Sequence, residues 1–128
     1  MANPKNIQKL IKVMERWPKS WMGFPEDIPV GERIVEVMRP FVQAMVHDGL
    51  APKAINRHMD NLWHLGGEII RDVNMETKER KRSGRELILK AVDQEGGPYC
   101  RHLSTEAEAK PFDATCKKLY RFIRQQQG

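Results

Sequence analysis

The stretch GLAPKAINRHMDNLWHLGGEIIRDV, which runs from Gly49 to Val73, carries the clearest structural pattern of the chain. Pro52 suits the first turn of a helix, because the N–H that proline lacks would have no partner there. Apolar residues then recur at the three- and four-residue spacing of one helical face; they are Ile55, Met59, Leu62, Leu65, Ile69, Ile70 and Val73. The stretch predicts an amphipathic helix from Pro52 to about Asn74.

Two adjacent glycines, Gly66 and Gly67, lie in the middle of this helix. Each of them costs about 1 kcal/mol relative to alanine inside a helix. Close approach of a neighbouring helix would give the glycines a packing role, and we expect such a contact at this point.

A second helix precedes the central one and runs from about Val30 to Asp48, with a stripe of apolar residues on one face. Pro40 lies inside this pattern and removes a backbone donor, so it should kink the helix or split it near Arg39. Gly49 suits the left-handed conformation that commonly ends a helix.

The first helix begins at Asn3 and Pro4, with Asn3 as its N-cap, and ends before Pro18. Residues 17–30 then form an aromatic-rich segment with three prolines, which predicts a loop. Its large apolar residues leave two interpretations open, a packed cover over the core or a partner-binding patch. In the first, Trp17 and Trp21 are buried against the bundle.

Two shorter patterns complete the chain. Ser83 and Gly84 interrupt the segment after the central helix, and residues 85–94 form a short helix. Thr105 and Glu108 form a capping box for the last helix, although Pro111 allows a later start. Almost no segment alternates with the period of a strand. Residues 1–128 are therefore predicted to form one all-α domain, a bundle of about five helices.

Composition sets broad limits on the function. The 128 residues are 40% hydrophobic and 30% charged, which is typical of a globular protein and not of a disordered one. The net charge of +5 mildly favours an anionic partner. Two cysteines without a secretory leader indicate reduced thiols and a cytoplasmic location. No run of about 18 apolar residues is present, so no membrane partner is expected.

Three groups of cations are candidates for contact with nucleic acid. One follows a line along the central helix, and one is a ridge on the last helix. The third is the basic segment at residues 75–84, whose cations lie in the sequence KERKRSGR from Lys78 to Arg85. Each group has an ordinary alternative, which is a solvated helix face or a solvated linker. The candidate residues are Lys53, Arg57, His64, Arg71, Lys78, Arg80, Lys81, Arg82, Arg85, Lys117, Arg121 and Arg124.

The start of the central helix resembles the core-binding domain of tyrosine recombinases, the phage-integrase family. The resemblance lies in a Gly-Leu, a small residue and a Lys before a helix with aromatic and leucine positions; the residues are Gly49, Leu50, Ala51, Lys53, Ile55, Asn56, His58, Leu62 and Trp63. Ala54 stands where that family usually has Thr. The resemblance covers about residues 31–74 and implies a small helical bundle that grips one face of a DNA duplex. In that family a separate C-terminal domain cleaves the DNA; the residues that follow Asn74 here have only helical patterns, so we expect no such catalytic domain.

Residues that could support catalysis or metal binding do not form a known pattern. Cys100, His102 and Cys116, with His58 or His64, lack the two tight ligand pairs of structural zinc sites. A cysteine–histidine nucleophile would lack a third group and an oxyanion element, and no phosphate loop is present. We therefore expect no enzyme, no metal and no cofactor.

Two functional hypotheses follow from these patterns. The first is a small DNA-binding protein of bacterial or phage origin, from a mobile element, that holds phosphates through the three basic groups. The alternative is a helical protein-interaction module or homodimer that does not bind nucleic acid.

Overall fold

The computed structural model describes residues 4–126, and in that range it is helical without a β-strand. The N-cap predicted at Asn3 lies outside the described residues. Five α-helices have eight or more residues, which confirms the prediction of about five helices; a helix of five residues and one 3-10 helix join them. The elements are α1 (Pro4–Glu15), α2 (Trp17–Trp21), α3 (Asp27–His47), α4 (Pro52–Met75), the 3-10 helix (Thr77–Lys81), α5 (Gly84–Ala91) and α6 (Glu106–Gln125).

Helices α3 and α4 pack against each other and form the centre of the bundle. Helix α5 packs mainly on α3, α6 packs mainly on α4, and α2 contacts both central helices. The apolar stripes predicted from the sequence face this common core. Met38 and Leu62 from the central pair and Leu119 from α6 have no exposed surface.

The prediction of a loop over residues 17–30 was wrong. Residues 17–21 form α2 and α3 already begins at Asp27, so only five residues are not helical. Pro18 and Pro29 lie in the first turns of these helices, where the missing N–H needs no partner. Trp17 and Trp21 are buried, which confirms the packed-cover interpretation for these two rings.

Two prolines lie inside helices and do not end them. Helix α3 is continuous through Pro40, so the predicted split near Arg39 does not occur. Helix α6 begins after Thr105, whose side chain accepts a hydrogen bond from the Glu108 amide, and it continues through Pro111. Helix α5 ends at Ala91, whereas the sequence predicted an end at residue 94.

The glycine pair of α4 packs against an aromatic ring from α2. A Cβ atom on Gly66 would lie 2.1 Å from Cζ2 of Trp21, so no larger residue fits without a shift. This contact confirms the close approach predicted from the sequence. A Cβ atom on Gly67 would lie 3.5 Å from the same ring, which is an ordinary contact distance. Gly49 has φ of 79°, as expected for the end of α3.

Within residues 4–126, none of the helices has both the length and the apolar character that a membrane span requires.

Candidate nucleic-acid interface

Helices α4 and α6 are joined by a small polar network that fixes their relative direction. His58 Nδ1 lies 2.7 Å from the Thr115 hydroxyl, and the Asn61 side-chain amide donates to the same hydroxyl at 2.9 Å. Asn61 also donates to the Pro111 carbonyl at 3.2 Å. Residue numbers therefore rise on α4 as they fall on α6, so the helices are antiparallel. The beginning of α4 lies beside the second half of α6.

Cations from both helices meet at this contact. The pKa of His58 is lowered, first by burial of the ring and then by the positive charges of Lys118 and Arg57. Arg57 belongs to α4 and Lys118 to α6, so both charges act on one imidazole. The beginning of the cation group on α4 and the cation group on α6 therefore lie near each other, on either side of the contact between His58 and Thr115.

We define the basic surface as the six cations on the first half of α4 and the second half of α6. No acidic residue occurs within residues 49–59 or 114–126. None of the six forms an ion pair with another residue of the described chain, and all but the half-buried Lys117 are exposed. They are Lys53, Arg57, Lys117, Lys118, Arg121 and Arg124.

The N-terminus of α4 adds to the positive potential of the basic surface. Its N-cap residue is Ala51, which has no side-chain acceptor for the first-turn amides, and its first turn contains no acidic residue. The helix dipole places partial positive charge at such an end. Three acids lie around this surface: Asp48 lines a shallow groove together with Lys118 and Arg121, Asp60 follows Arg57 by three residues on α4, and Asp113 precedes Lys117 by four residues on α6.

The basic segment is arranged differently, because its best-packed cation has a structural partner. Arg80 Nε lies 3.3 Å from Oδ1 of Asp27, a carboxylate with no exposed surface. The Arg80 guanidinium also donates to the Asn74 side chain at 3.1 Å and lies over the ring of Phe24. Asp27 accepts further hydrogen bonds from the amides of Gly23 and Phe24. Arg80 thus ties the 3-10 helix to the start of α3.

Other cations of the basic segment are paired with nearby acids. Arg82 forms ion pairs with Glu79 and Glu86, and Glu79 also contacts Lys90. Lys78 lies 3.6 Å from Glu76. Of the remaining two predicted cations, Lys81 is exposed and Arg85 is half-buried. This segment therefore presents much less uncompensated charge than its sequence suggests.

The basic segment also lies far from the basic surface. Arg80 contacts α4 at Asn74, whereas α6 contacts α4 at His58. These positions are sixteen residues apart, which corresponds to about 24 Å along a helix. The structure therefore brings the beginning of the first predicted group close to the group on α6 and separates the basic segment from both.

The two remaining predicted residues, His64 and Arg71, lie farther along α4. They line a groove together with Arg101 and His102, which follow α5 in the chain. The pKa of His64 is lowered by burial and then by His102. Lys118 and Arg101 were not among the predicted site residues. Only the packing of α6 and of the segment after Gly97 on α4 brings them to these surfaces.

The cysteines are buried free thiols. Burial raises the pKa of Cys100 and, more strongly, that of Cys116, so the reactive thiolate form is disfavoured. In the part of the chain that the structure describes, no three His, Cys, Asp or Glu side chains are grouped closely enough to hold a metal ion.

No protein-family model matches the chain, and searches of curated proteins and of solved structures found no similar protein. The resemblance to the core-binding domain therefore depends on the sequence pattern around Gly49 and the start of α4.

Proposed function

We propose that this protein is a small, non-enzymatic DNA-binding protein that holds duplex phosphates with the basic surface. One observation carries the proposal: α4 and α6 contact each other through His58 and Thr115, 2.7 Å apart, and Arg57 and Lys118 lie close enough to this contact for both charges to act on the His58 ring. The cations of two helices therefore form one patch. Because they form no ion pairs in the described chain, their charges are available to an external anion.

Duplex DNA suits such a patch because its charge is dense and regularly spaced. It carries one negative charge for about every 1.7 Å of helix axis, and each neutralised phosphate releases condensed counterions. The N-terminus of α4 can donate backbone N–H groups to a phosphate. Lys53 and Arg57 lie within the first two turns of α4 and therefore near the same end of the helix.

The proposed mode agrees with the expectation from the resemblance to the core-binding domain, in which a small helical bundle grips one face of a duplex. On this proposal the chain acts as a binding module and comes from a mobile element of bacterial or phage origin. We place its activity in the cytoplasm, where the free thiols of Cys100 and Cys116 would stay reduced.

The proposal is tested by an anisotropy titration on a short fluorescent duplex. On the order of five phosphate contacts predicts that affinity falls a few hundred-fold between about 50 and about 200 mM salt. Circular dichroism over the same range controls for loss of the fold. No binding at about 50 mM salt would contradict the proposal.

The alternative function, a protein-interaction module or homodimer, is favoured by a different observation. Met22 and Phe24, between α2 and α3, are 40% and 53% exposed although they are large apolar residues. An interface built on them would depend on burial of apolar surface. Its affinity would therefore change little over the salt range in which phosphate contacts are lost.

A further inference from the structure

A groove on the far half of α4 has features that the proposed duplex contact does not use. It lies between the end of α2, α4 and the segment after α5, and its volume is about 270 Å³. Trp63, His64 and Arg71 line it from α4, and Arg101 and His102 line it from the opposite side. We call it the tryptophan groove.

The indole of Trp63 is exposed and yet held in place. It is 38% exposed, and its N–H donates to the Ser20 hydroxyl at 2.9 Å. The Trp63 carbonyl accepts a hydrogen bond of 2.9 Å from the indole of Trp21, which is buried. The His64 ring packs edge-on against Trp63 at 5.2 Å between centroids. Such a preorganised aromatic surface can stack a planar ring with little loss of side-chain entropy.

The charge of the tryptophan groove favours an anion. Arg101 is exposed and forms no ion pair with another described residue. Arg71 is 45% exposed and lies 3.9 Å from Glu68, at the limit of an ion pair. Glu68 is the only acid among the described residues that line the groove, so the two arginines leave a positive excess even with both histidines neutral.

Gly67 lines the tryptophan groove, and this position explains a glycine that packing against Trp21 does not require. Gly66 is required because a Cβ atom there would overlap Trp21, whereas one on Gly67 would make an ordinary contact. A glycine inside a helix costs about 1 kcal/mol relative to alanine. Gly67 lines the tryptophan groove, and its missing side chain keeps the floor of the groove open.

We propose that the tryptophan groove binds one unpaired nucleotide, with its base stacked on Trp63 and its phosphates held by Arg71 and Arg101. This inference rests on the proposed function, because the nucleotide belongs to a strand of the duplex that the basic surface binds. His64 follows Arg57 by two turns on the same side of α4, about 10 Å along the axis. A strand that leaves the duplex along α4 would therefore reach the groove.

The test compares a blunt duplex with the same duplex carrying a short single-stranded overhang. Stacking of one base on an aromatic ring predicts that the overhang raises affinity about tenfold, which corresponds to about 1.4 kcal/mol. Trp63→Ala and Arg101→Ala should each remove most of this preference and leave binding of the blunt duplex unchanged. Trp63→Phe should retain much of the preference, because it keeps an aromatic face.

Two further variants separate occupation of the groove from general effects. Gly67→Leu should fill the groove and remove the preference. Tyr99→Ala is the matched control, because Tyr99 is 76% exposed and does not line the groove. Circular dichroism and thermal unfolding establish whether each variant is folded. If Trp63→Ala is unstable, loss of the preference for the overhang in a folded Arg101→Ala protein still supports the proposal.

The outcomes distinguish this inference from the proposed function. Equal affinity of the wild type for both duplexes would overturn the nucleotide proposal and leave duplex binding intact. Binding of neither duplex would overturn both. A fluorescent acidic peptide that binds the wild type but not Trp63→Ala, without any preference for the overhang, would place a protein segment in the groove and overturn the nucleotide proposal.

Discussion

Cations lie near both ends of α4, on α4 and α6 at its beginning and on the 3-10 helix after its end, but the acids around them are arranged in opposite ways. At the beginning of α4, Arg57 and Lys118 of α6 both act on the His58 ring, and neither has an ion-pair partner in the described chain. At its end, Arg80 contacts Asn74 and the buried carboxylate of Asp27. A high density of cations therefore does not by itself identify a binding surface. The position of the counter-charges decides whether a cation holds the fold together or meets a ligand.

The largest effect on stability is expected at the end of α4. Asp27→Ala removes the acceptor of two backbone amides and the partner of Arg80, so it should lower the free energy of unfolding by about 3 kcal/mol. Arg57→Ala, at the other end, should change it by less than about 0.5 kcal/mol. Urea unfolding of both variants measures the difference. Equal effects would remove the distinction between the two ends.

The cost of the conservative change Asp27→Asn should depend on pH. Burial opposes the charged form of Asp27, but hydrogen bonds from Phe24, Gly23, Arg80 and Asn74 outweigh burial and lower the pKa of this carboxyl. A lowered folded-state pKa stabilises the fold above the unfolded value of about 3.9, and this contribution is lost as pH falls through the folded value.

Unfolding of the wild type and of Asp27→Asn should therefore differ at neutral pH, and the difference should shrink as the pH is lowered below about 4. Asp60→Asn is the control, because Asp60 is exposed on α4. A difference that stays constant from neutral to acidic pH would show that the charge of Asp27 does not stabilise this end of the molecule.

Smaller changes in the free energy of unfolding, opposite in sign, are expected when each glycine of the pair in the middle of α4 is replaced by alanine. Gly66→Ala should lower stability by about 2 kcal/mol, because the new methyl group overlaps the ring of Trp21. Gly67→Ala should raise stability by up to about 1 kcal/mol, because it improves helix propensity without a clash. Thermal unfolding compares the two. Destabilisation by Gly67→Ala would mean that this glycine is needed for packing, and its role in the groove would lose its support.

Much of the fold follows from the sequence because it depends on local periodicity. The stripe from Ile55 to Val73 faces the core as predicted, and Gly66 marks the contact with α2. The loop prediction over residues 17–30 failed because proline in a first turn was interpreted as a helix breaker. Pro18 and Pro29 lie where a helix tolerates them.

The candidate site was less predictable because it depends on contacts between residues far apart in the chain. Asp27 and Arg80 are 53 positions apart, and the sequence does not show that they pair. Because of this pairing, Arg80 is not a free cation, although it was predicted to contact phosphate. The convergence of Arg57 and Lys118 requires that α4 and α6 run antiparallel. A stripe on each helix shows which face is buried but not which partner covers it.

The central claim is that the cations at the beginning of α4, and not those at its end, hold phosphate. It is tested most directly by the salt dependence of duplex affinity for two matched double variants. Arg57→Ala with Arg121→Ala removes two charges from the basic surface, and Lys78→Ala with Lys81→Ala removes two from the basic segment. Both pairs change the net charge equally.

We predict that the first pair makes the log–log slope of association constant against salt less steep by about 1.8, since each phosphate contact contributes about 0.9. The second pair should leave the slope unchanged. If the second pair reduces the slope as much as the first, or if the first pair leaves it unchanged, the assignment of the phosphate contacts to the basic surface is contradicted.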